Sequence, residues 1–325
     1  DDASRGQKSR RSCPRRGDMG RLAEVEVSLS SSPMLFDASE IPTIKVAPEK
    51  NFQSLRHPLW TENKARLIQE YIKLFTYVTK HGAYIDGFAA PQRRERSDLC
   101  SAKLVLEAEP QRVRELWLCD IDPKGIALLH EIKAAHESKR RRIHVMEGDF
   151  NATISTILAS GRITERTATF ALLDQRTFEC AWSTVEAIAQ HKKGTKIEIF
   201  YFLATGWIDR SIAAVRREAT AARVERWWGR SDWRTLRGLQ GVERANLLVQ
   251  RFKTELGYAF AYPYAIHDSR QGGRTMYHMV HATDHPEASP LMLRAYRKVS
   301  GRSDWDRPTT QLDLDAHWSE LTEGE

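Results

Sequence analysis

Four short apolar segments of the chain each lead into an aspartate. Residues 83–85 are followed by Asp86, and the next three segments lead to Asp120, Asp149 and Asp174. Short apolar runs bounded by polar turns are typical of buried strands. In open α/β sheets, ligands bind outside the carboxyl ends of the strands. We therefore expect the four carboxylates to meet at one ligand-binding edge of a sheet.

The residues after the first apolar segment predict a loop at that edge. Asp86 and Gly87 end the run, and Pro91 cannot donate a ladder hydrogen bond. Small residues let the backbone N–H groups of such a loop approach a ligand closely. The first strand is therefore expected to place a carboxylate and a small-residue loop beside the ligand.

The second and third aspartates suit a nucleoside. A carboxylate at Asp120 can accept hydrogen bonds from both hydroxyls of a ribose. The alternative is a helix start at Asp122 and Pro123, with Asp120 merely exposed beside it. Asp149 can accept a hydrogen bond from the amino group of adenine, and Phe150 offers a ring face for stacking. The three strand ends together predict a nucleotide-like ligand.

The fourth strand end is the predicted place of chemistry, because it would face the reactive end of that ligand. Asp174 is the first candidate for a polar group that accepts a proton from a substrate. Gln175 and Phe178 follow Asp174 in the chain.

Strands and helices alternate along the chain. Residues 196–203 predict a fifth strand, and residues 258–266 and 274–282 predict a hairpin around Gly272 and Gly273. Helices are predicted between these strands and around them, at residues 62–80, 101–116 with an end near Pro110 and a brief resumption, 124–136, 151–160, 242–256 and 290–298. The predicted fold class is α/β, a Rossmann-like mostly parallel sheet with a C-terminal antiparallel hairpin and a helical Trp-rich insertion.

Composition divides the 325 residues into three parts. Residues 1–45 lack a sustained apolar block, which predicts a disordered basic leader. Residues 57–300 predict one Rossmann-like domain, with the helical insertion at about 209–256, and residues 301–325 predict a polar acidic tail.

Charge and hydropathy limit the partners that the protein is expected to bind, and the cysteines indicate its cellular compartment. A formal net charge of +7 permits attraction to nucleic acid. No apolar run approaches the ~20 residues of a membrane helix, so no membrane partner is expected. The four cysteines lack the spacing of a zinc site or a disulfide framework, which predicts reduced thiols of a cytoplasmic protein.

Two further clusters allow more than one interpretation. Residues 227–234 combine three Trp and two Arg, which suits either stacking on a nucleic-acid strand or a Trp-rich cap packed over the sheet edge. His278, His281 and His285 invite a metal interpretation, but His278 and His281 fall on opposite faces of a strand. Structural histidines are therefore favoured over a metal site.

Residues 57–300 resemble the three-Cys-motif partner protein family, a set of proteins near the class I methyltransferases with a Rossmann-like sheet. The segments that carry the likeness are, in chain order, YIDGFAAP, CDIDP, GDFNATI, LLDQRTFECAW, EIFYFLATGW, WWGRSDW and MYHMVHATDHPEA. The family name refers to cysteines of a neighbouring protein. The resemblance therefore implies a three-cysteine-motif protein as a candidate partner.

The resemblance to methyltransferases also implies S-adenosylmethionine as the cofactor. The protein loop that binds it would be lined by Asp86, Gly87, Phe88 and Ala89. Asp120 would hold the ribose, and Asp149 with Phe150 would hold the adenine. Two segments depart from the relatives. The first loop has Ala90 and Gln92 at positions of later glycines in DGFAGPG, and the fourth strand ends in LDQRTF instead of an Asp/Asn-Pro-Pro-Tyr signature. The resemblance implies that Asp174, Gln175 and Phe178 are the candidate catalytic residues in place of that signature.

Three functions stay open at this point. The first is an S-adenosylmethionine-dependent methyltransferase that acts on nucleic acid or its constituents, with Asp174 assisting the transfer. The second is a non-catalytic protein of the same fold that binds the three-cysteine-motif protein. The third is a metal-dependent nuclease that uses Asp174, His278 and His281. Metal dependence without cofactor dependence would separate the third function from the first.

Overall fold

The computed structural model describes residues 59–91, 100–205, 208, 211–212, 215, 218–267 and 275–300. The predicted leader, the acidic tail and the turn at Gly272 and Gly273 lie outside these residues. Among the described helices, none combines the length and the apolar character that crossing a membrane requires.

The described helices and strands alternate from the first helix to the fifth strand. The helices are α1 Leu59–Thr79, α2 Ser101–Leu106, α3 Pro123–His136, α4 Phe150–Leu158, α5 Trp182–Gln190, α6 Glu218–Trp228, α7 Gly241–Thr254 and α8 Ala288–Ser300. A 3₁₀ helix, Ser231–Gly238, lies between α6 and α7. The strands are β1 Gly82–Asp86, β2 Val113–Asp120, β3 Arg142–Glu147, β4 Thr169–Leu173, β5 Glu198–Leu203, β6 Phe260–His267 and β7 Thr275–Thr283.

The strands form one seven-stranded sheet in the order β3-β2-β1-β4-β5-β7-β6. Strands β1 to β5 pair in parallel, whereas β7 is antiparallel to both β5 and β6. The predicted fold class, a mostly parallel α/β sheet with a C-terminal antiparallel hairpin, is confirmed. Strand order reverses between β1 and β4, and such a reversal opens a crevice at the carboxyl ends of the two strands.

The sheet is buried on both faces by two layers of helices. Successive side chains of a strand point to opposite faces, so Tyr84 packs in the layer that contains α1, and Ile85 packs in the layer that contains α4 to α7. Every residue of β1, β4 and β5 is buried. Because both faces are covered, the edge formed by the strand ends is where a ligand can reach these strands.

The start of β2 corrects one prediction. Residues 113–116 were expected to resume a helix after Pro110, and that prediction is wrong because β2 begins at Val113. Glu115 pairs with Ala83 of β1 on one side and with Arg142 of β3 on the other. Pairing on both sides of the strand, a tertiary effect, overrides the helical character of the local sequence.

Candidate functional site

The structure places four aspartates at the carboxyl edge of the sheet. Asp86 and Asp120 are the last residues of β1 and β2. Asp149 is the N-cap of α4 after β3, and Asp174 directly follows β4. Since β1 and β4 flank the reversal in strand order, Asp86 and Asp174 lie on the two sides of the crevice.

Asp86 is a buried carboxyl group with two hydrogen-bond donors. Its side chain is 1% exposed. The hydroxyl of Tyr84 donates to Oδ2 at 2.9 Å, and the backbone N–H of Phe88 donates to Oδ1 at 3.2 Å. Burial, reinforced by the charges of Asp174 and Asp120, outweighs these donors and raises the pKa of Asp86 to about 7. The carboxyl group is therefore poised to change its charge near neutral pH.

The loop after β1 is tied to its neighbours by backbone hydrogen bonds. The N–H of Gly87 donates to the carbonyl of Leu172, and the N–H of Ala89 donates to the carbonyl of Cys119. The N–H of Ala90 donates to Oδ2 of Asp120 at 3.1 Å. The loop thus has a fixed path between the ends of β4 and β2.

Asp120 fixes two loops at once. Besides the N–H of Ala90, its carboxylate accepts the N–H of Asp122 at 2.8 Å through Oδ1. Each carboxylate oxygen has two lone pairs, so Asp120 keeps accepting capacity for a ligand hydroxyl. Asp122 instead caps α3 by accepting the N–H groups of Lys124 and Gly125, so the two acids have separate tasks.

Phe150 lies beneath the loop that follows β1. Its side chain is 3% exposed, and its ring centroid is 5.8 Å from that of Phe88. A Cβ atom on Gly87 would approach the Phe150 ring to 2.9 Å. The ring therefore supports the loop from below and requires glycine at position 87. The predicted stacking of adenine on Phe150 stays a prediction, as does the contact of exposed Asp149 with the adenine amino group.

Ile121 is a residue of this edge that the sequence analysis did not single out. It follows Asp120 at the end of β2, and its side chain is 70% exposed. Single exposed apolar side chains are common on protein surfaces, so it is the position of Ile121 beside Asp120 that makes it a candidate contact for an apolar ligand face. The available signal was an isoleucine placed between the two aspartates of CDIDP.

Asp174 forms an ion pair with Lys64 of α1. The ammonium lies 2.7 Å from Oδ1 and 2.6 Å from Oδ2, and the side chains are 3% exposed for Lys64 and 16% for Asp174. The same ammonium lies 4.9 Å from the ring centroid of Phe202 and 5.0 Å from that of Tyr277. The carboxylate at the end of β4 is therefore held in one orientation by a buried cation.

Gln175 and Phe178, the other candidate catalytic residues, are buried in the loop after β4. Oε1 of Gln175 accepts the N–H groups of Glu179 and Cys180, at 3.2 and 3.0 Å. The Phe178 ring packs edge-on against Trp227 with centroids 4.9 Å apart. Both side chains thus stabilise the loop, and their contact with a substrate stays a prediction.

Asn151 connects the third and fourth strand ends through four hydrogen bonds. Its Nδ2 donates to Oδ1 of Asp149 and to the carbonyl of Glu179, both at 2.7 Å. Its Oδ1 accepts the N–H of Ala181 at 2.7 Å and the hydroxyl of Thr184 at 2.8 Å. The helix start at Asp149 and the loop after Asp174 are therefore one connected unit.

The two strand histidines occupy different surroundings on opposite faces of β7. Nδ1 of His278 is 2.7 Å from the hydroxyl of Thr205, whereas Nε2 of His281 is 2.7 Å from Oε1 of Glu198. Among the residues that the structure describes, no group of three His, Cys, Asp or Glu side chains is placed to hold a metal ion. The three residues of the nuclease hypothesis, all of them described, are therefore not brought together in such a group.

Comparisons with known proteins add three structures to this description. No protein-family model matches the chain, and no curated protein matches it either. Membership of the three-Cys-motif partner family therefore stays a prediction.

The chain is similar to M. jannaschii TYW2 in complex with AdoMet, at 10% identity and a TM-score of 0.32, over 66% of this chain and 75% of that one. For the CurJ carbon methyltransferase the values are 12% identity, a TM-score of 0.40, and 63% and 49% of the two chains, so this chain spans about half of that structure. For LPL1258 of Legionella pneumophila, with family model DUF519, the identity is 11% and the TM-score is 0.42, over 75% of this chain and 95% of that one. Since identities and TM-scores are low, the function proposed below is built on the residues of the site.

Proposed function

We propose that this protein is an S-adenosylmethionine-dependent methyltransferase that acts on nucleic acid or its constituents. The observation that carries the proposal is the row of carboxylates where strand order reverses, with Asp120, Asp86 and Asp174 at the ends of the neighbouring strands β2, β1 and β4. Ligands of open α/β sheets bind at this point.

Charge supports a cationic ligand in the crevice. Asp86 has a raised pKa because its carboxylate is desolvated and lies near Asp174 and Asp120. A positive charge beside Asp86 would offset both effects, whereas a pyrophosphate would add to the repulsion. S-adenosylmethionine carries a sulfonium and an ammonium group, so it suits this site better than a dinucleotide does.

The remaining parts of the cofactor have matching groups along the edge. Asp120 would accept the ribose hydroxyls with the lone pairs that Ala90 and Asp122 leave unused. Ile121 would cover one face of the adenine ring, and Asp149 would accept a hydrogen bond from the adenine amino group. Gly87, Phe88 and Ala89 would line the loop beside the methionine part.

Methyl transfer at the end of β4 would rely mainly on positioning. S-adenosylmethionine would supply the methyl group, and the electron pair of the broken carbon–sulfur bond would remain on its sulfur. The acceptor would give up its proton to Asp174 or to water beyond it. Asp174, held by Lys64, would accept a hydrogen bond from the N–H or O–H group of the methyl acceptor. This bond would orient the acceptor's lone pair toward the methyl group.

Titration calorimetry of the full chain with S-adenosylmethionine tests the proposal. We expect binding that Asp120→Asn weakens at least ~10-fold, because the amide cannot replace a charged acceptor at both oxygens. The control is Glu131→Gln, which removes the same charge from an exposed position of α3. Folded protein that takes up no cofactor, or equal losses in the two variants, would contradict the proposal.

A second candidate function is the non-catalytic partner of a three-cysteine-motif protein. The observation that favours it is the engagement of both Asp174 oxygens by Lys64, together with the burial of Gln175 and Phe178. Incubation with methyl-labelled S-adenosylmethionine and a pool of RNA separates the two functions. Cofactor binding without transfer of label, in the presence and absence of the partner protein, would favour the second.

A further inference from the structure

The segment from α6 to the following 3₁₀ helix exposes five arginines. They are Arg223, Arg226, Arg230, Arg234 and Arg237, which we call the arginine face. Arg223 and Arg226 are three positions apart in α6, so their side chains are neighbours. Arg234 and Arg237 are three apart in the 3₁₀ helix, where such side chains eclipse. The spacing thus groups four of the five cations in two pairs, with Arg230 between them in the chain.

Three of the five side chains of the arginine face lie outside its ion pairs. Residues 218–238 contain five arginines and three acids. Arg223 lies 3.8 Å from Glu179, and Arg230 lies 2.7 Å from Glu255. Within the described part of the chain, Arg226, Arg234 and Arg237 form no ion pair. Nη2 of Arg237 donates to the carbonyl of Val215 at 3.4 Å, and the remaining donors of the three guanidinium groups are available to an anion.

Trp233 forms a rigid base under two of these arginines. Its ring is completely buried, and the guanidinium carbons of Arg234 and Arg237 lie 4.6 and 5.5 Å from the ring centroid. A guanidinium held on an aromatic ring loses less freedom when it binds a phosphate. The face of the guanidinium that points away from the ring is also a surface on which an unpaired base can stack.

The arginine face is joined to the predicted place of chemistry. Nε of Arg223 donates to the carbonyl of Phe178 at 3.3 Å, and Trp227 of α6 packs on the Phe178 ring. Phe178 lies in the loop that begins at Asp174. In that loop Arg176 is a further exposed cation. A chain bound along the arginines would therefore pass beside the fourth strand end.

A membrane surface fits this segment less well than a nucleic acid does. Helices that lie on membranes expose large apolar side chains to the lipid. The large apolar side chains of this segment are instead buried in the protein: Val224, Trp227, Trp228, Trp233 and Leu236.

From these observations we infer that the arginine face binds the phosphate backbone of a single-stranded nucleic acid and guides it to the end of β4. The inference rests on the proposed function and specifies its substrate as a polynucleotide strand. Phosphate contacts of this kind fix the position of a strand without reading its sequence.

Fluorescence anisotropy with a labelled single-stranded RNA tests the inference. The RNA has about 16 nucleotides, which is the upper end of the known site sizes of single-strand-binding domains. We expect the triple variant Arg226→Gln/Arg234→Gln/Arg237→Gln to bind at least ~10-fold more weakly at 100 mM salt. The slope of log affinity against log salt should fall by about 2, because three phosphate contacts are lost. Replacing the same residues with lysine should preserve the slope, since the charges stay.

The control removes three exposed arginines elsewhere, in Arg114→Gln/Arg166→Gln/Arg294→Gln, and should leave binding unchanged. Equal losses in the two glutamine triples, unchanged binding in the first, or binding to phosphatidylserine vesicles in place of RNA would overturn the inference. Calorimetry with S-adenosylmethionine on the same samples separates the two proposals. Cofactor binding without RNA binding would refute this inference alone, whereas RNA binding without cofactor binding would refute the proposed methyltransferase function alone.

Discussion

The ammonium of Lys64 lies within 2.7 Å of both carboxylate oxygens of Asp174, although 110 positions of the chain separate the two residues. Lys64 belongs to the helix before the first strand, and Asp174 follows the fourth strand. The pair thus joins α1 to the end of β4 and leaves Asp174 as a fixed acceptor on one side of the crevice.

Removal of Lys64 is expected to destabilise the protein more than removal of a surface lysine. In Lys64→Met the Asp174 carboxylate loses its partner in a mostly buried site, which should lower the free energy of unfolding by about 3 kcal/mol. Lys73→Met, which breaks a more exposed pair with Glu70, should cost about 1 kcal/mol or less. Urea unfolding measures both. The double variant Lys64→Met/Asp174→Leu should recover most of the loss, and a double variant as unstable as Lys64→Met would rule out the ion pair as the cause.

Asp86 is expected to make stability depend on pH. Its pKa rises from the usual 3.8 to about 7 on folding, so the folded protein keeps a proton that the unfolded chain releases. The stability contributed by Asp86 is therefore full below about pH 4 and is lost as the pH rises through 7. Relative to Asp86→Asn, the wild type should lose up to about 4 kcal/mol between pH 4 and pH 8 in urea unfolding, at ~1.4 kcal/mol per pKa unit. The control variant Glu131→Gln keeps Asp86 and should show the same loss of stability as the wild type. A difference between the wild type and Asp86→Asn that does not change with pH would show that Asp86 does not titrate in this range.

The same carboxyl group should make cofactor affinity depend on pH. A cation bound beside Asp86 favours its ionised form and lowers its pKa. Binding of S-adenosylmethionine should therefore release a proton near pH 6.5, and affinity should increase from pH 6 to pH 8. Calorimetry in two buffers with different ionisation enthalpies measures the released proton. Asp86→Asn should abolish both effects, and proton release that persists in this variant would assign it to another group.

Gly87 is expected to tolerate no side chain. A methyl group there would meet the Phe150 ring at 2.9 Å, and overpacking of this kind costs ~2 kcal/mol. Gly87→Ala should lower the melting temperature and weaken cofactor binding, since the loop must move. Gly238→Ala, where no atom lies within 4 Å of the added methyl, is the matched control. Phe150→Leu in the Gly87→Ala background should restore part of the stability, and no recovery would place the strain elsewhere.

The strand ends and the sheet could be predicted from sequence because they depend on local patterns. A buried parallel strand is a short apolar run, and the polar residue that ends it is adjacent in the chain. Asp86, Asp120 and Asp174 were found in this way, and their common edge follows from the parallel arrangement. The start of β2 at Val113 was missed because charged residues there resemble a helix until β1 and β3 pair with them.

The side-chain environment of the site could not be predicted, because it depends on contacts between distant positions. Lys64 looks like a surface lysine of an amphipathic helix, yet it is buried against Asp174. Phe150 and Phe178 have the residue type of stacking platforms, but burial beneath Gly87 and against Trp227 is decided by the packing of whole helices.

Asn151 has a thermodynamic consequence for how the two halves of the crevice work together. One amide group holds the helix start beside the predicted adenine site and the loop beside the predicted acceptor site. If a ligand in one half shifts this unit, it must change the affinity for the ligand in the other half, and by linkage the two ligands change each other's affinity by the same factor. We therefore expect cofactor and acceptor to bind cooperatively in the wild type and independently in Asn151→Ala, so that the side chain of Asn151 sets whether one ligand prepares the site for the other.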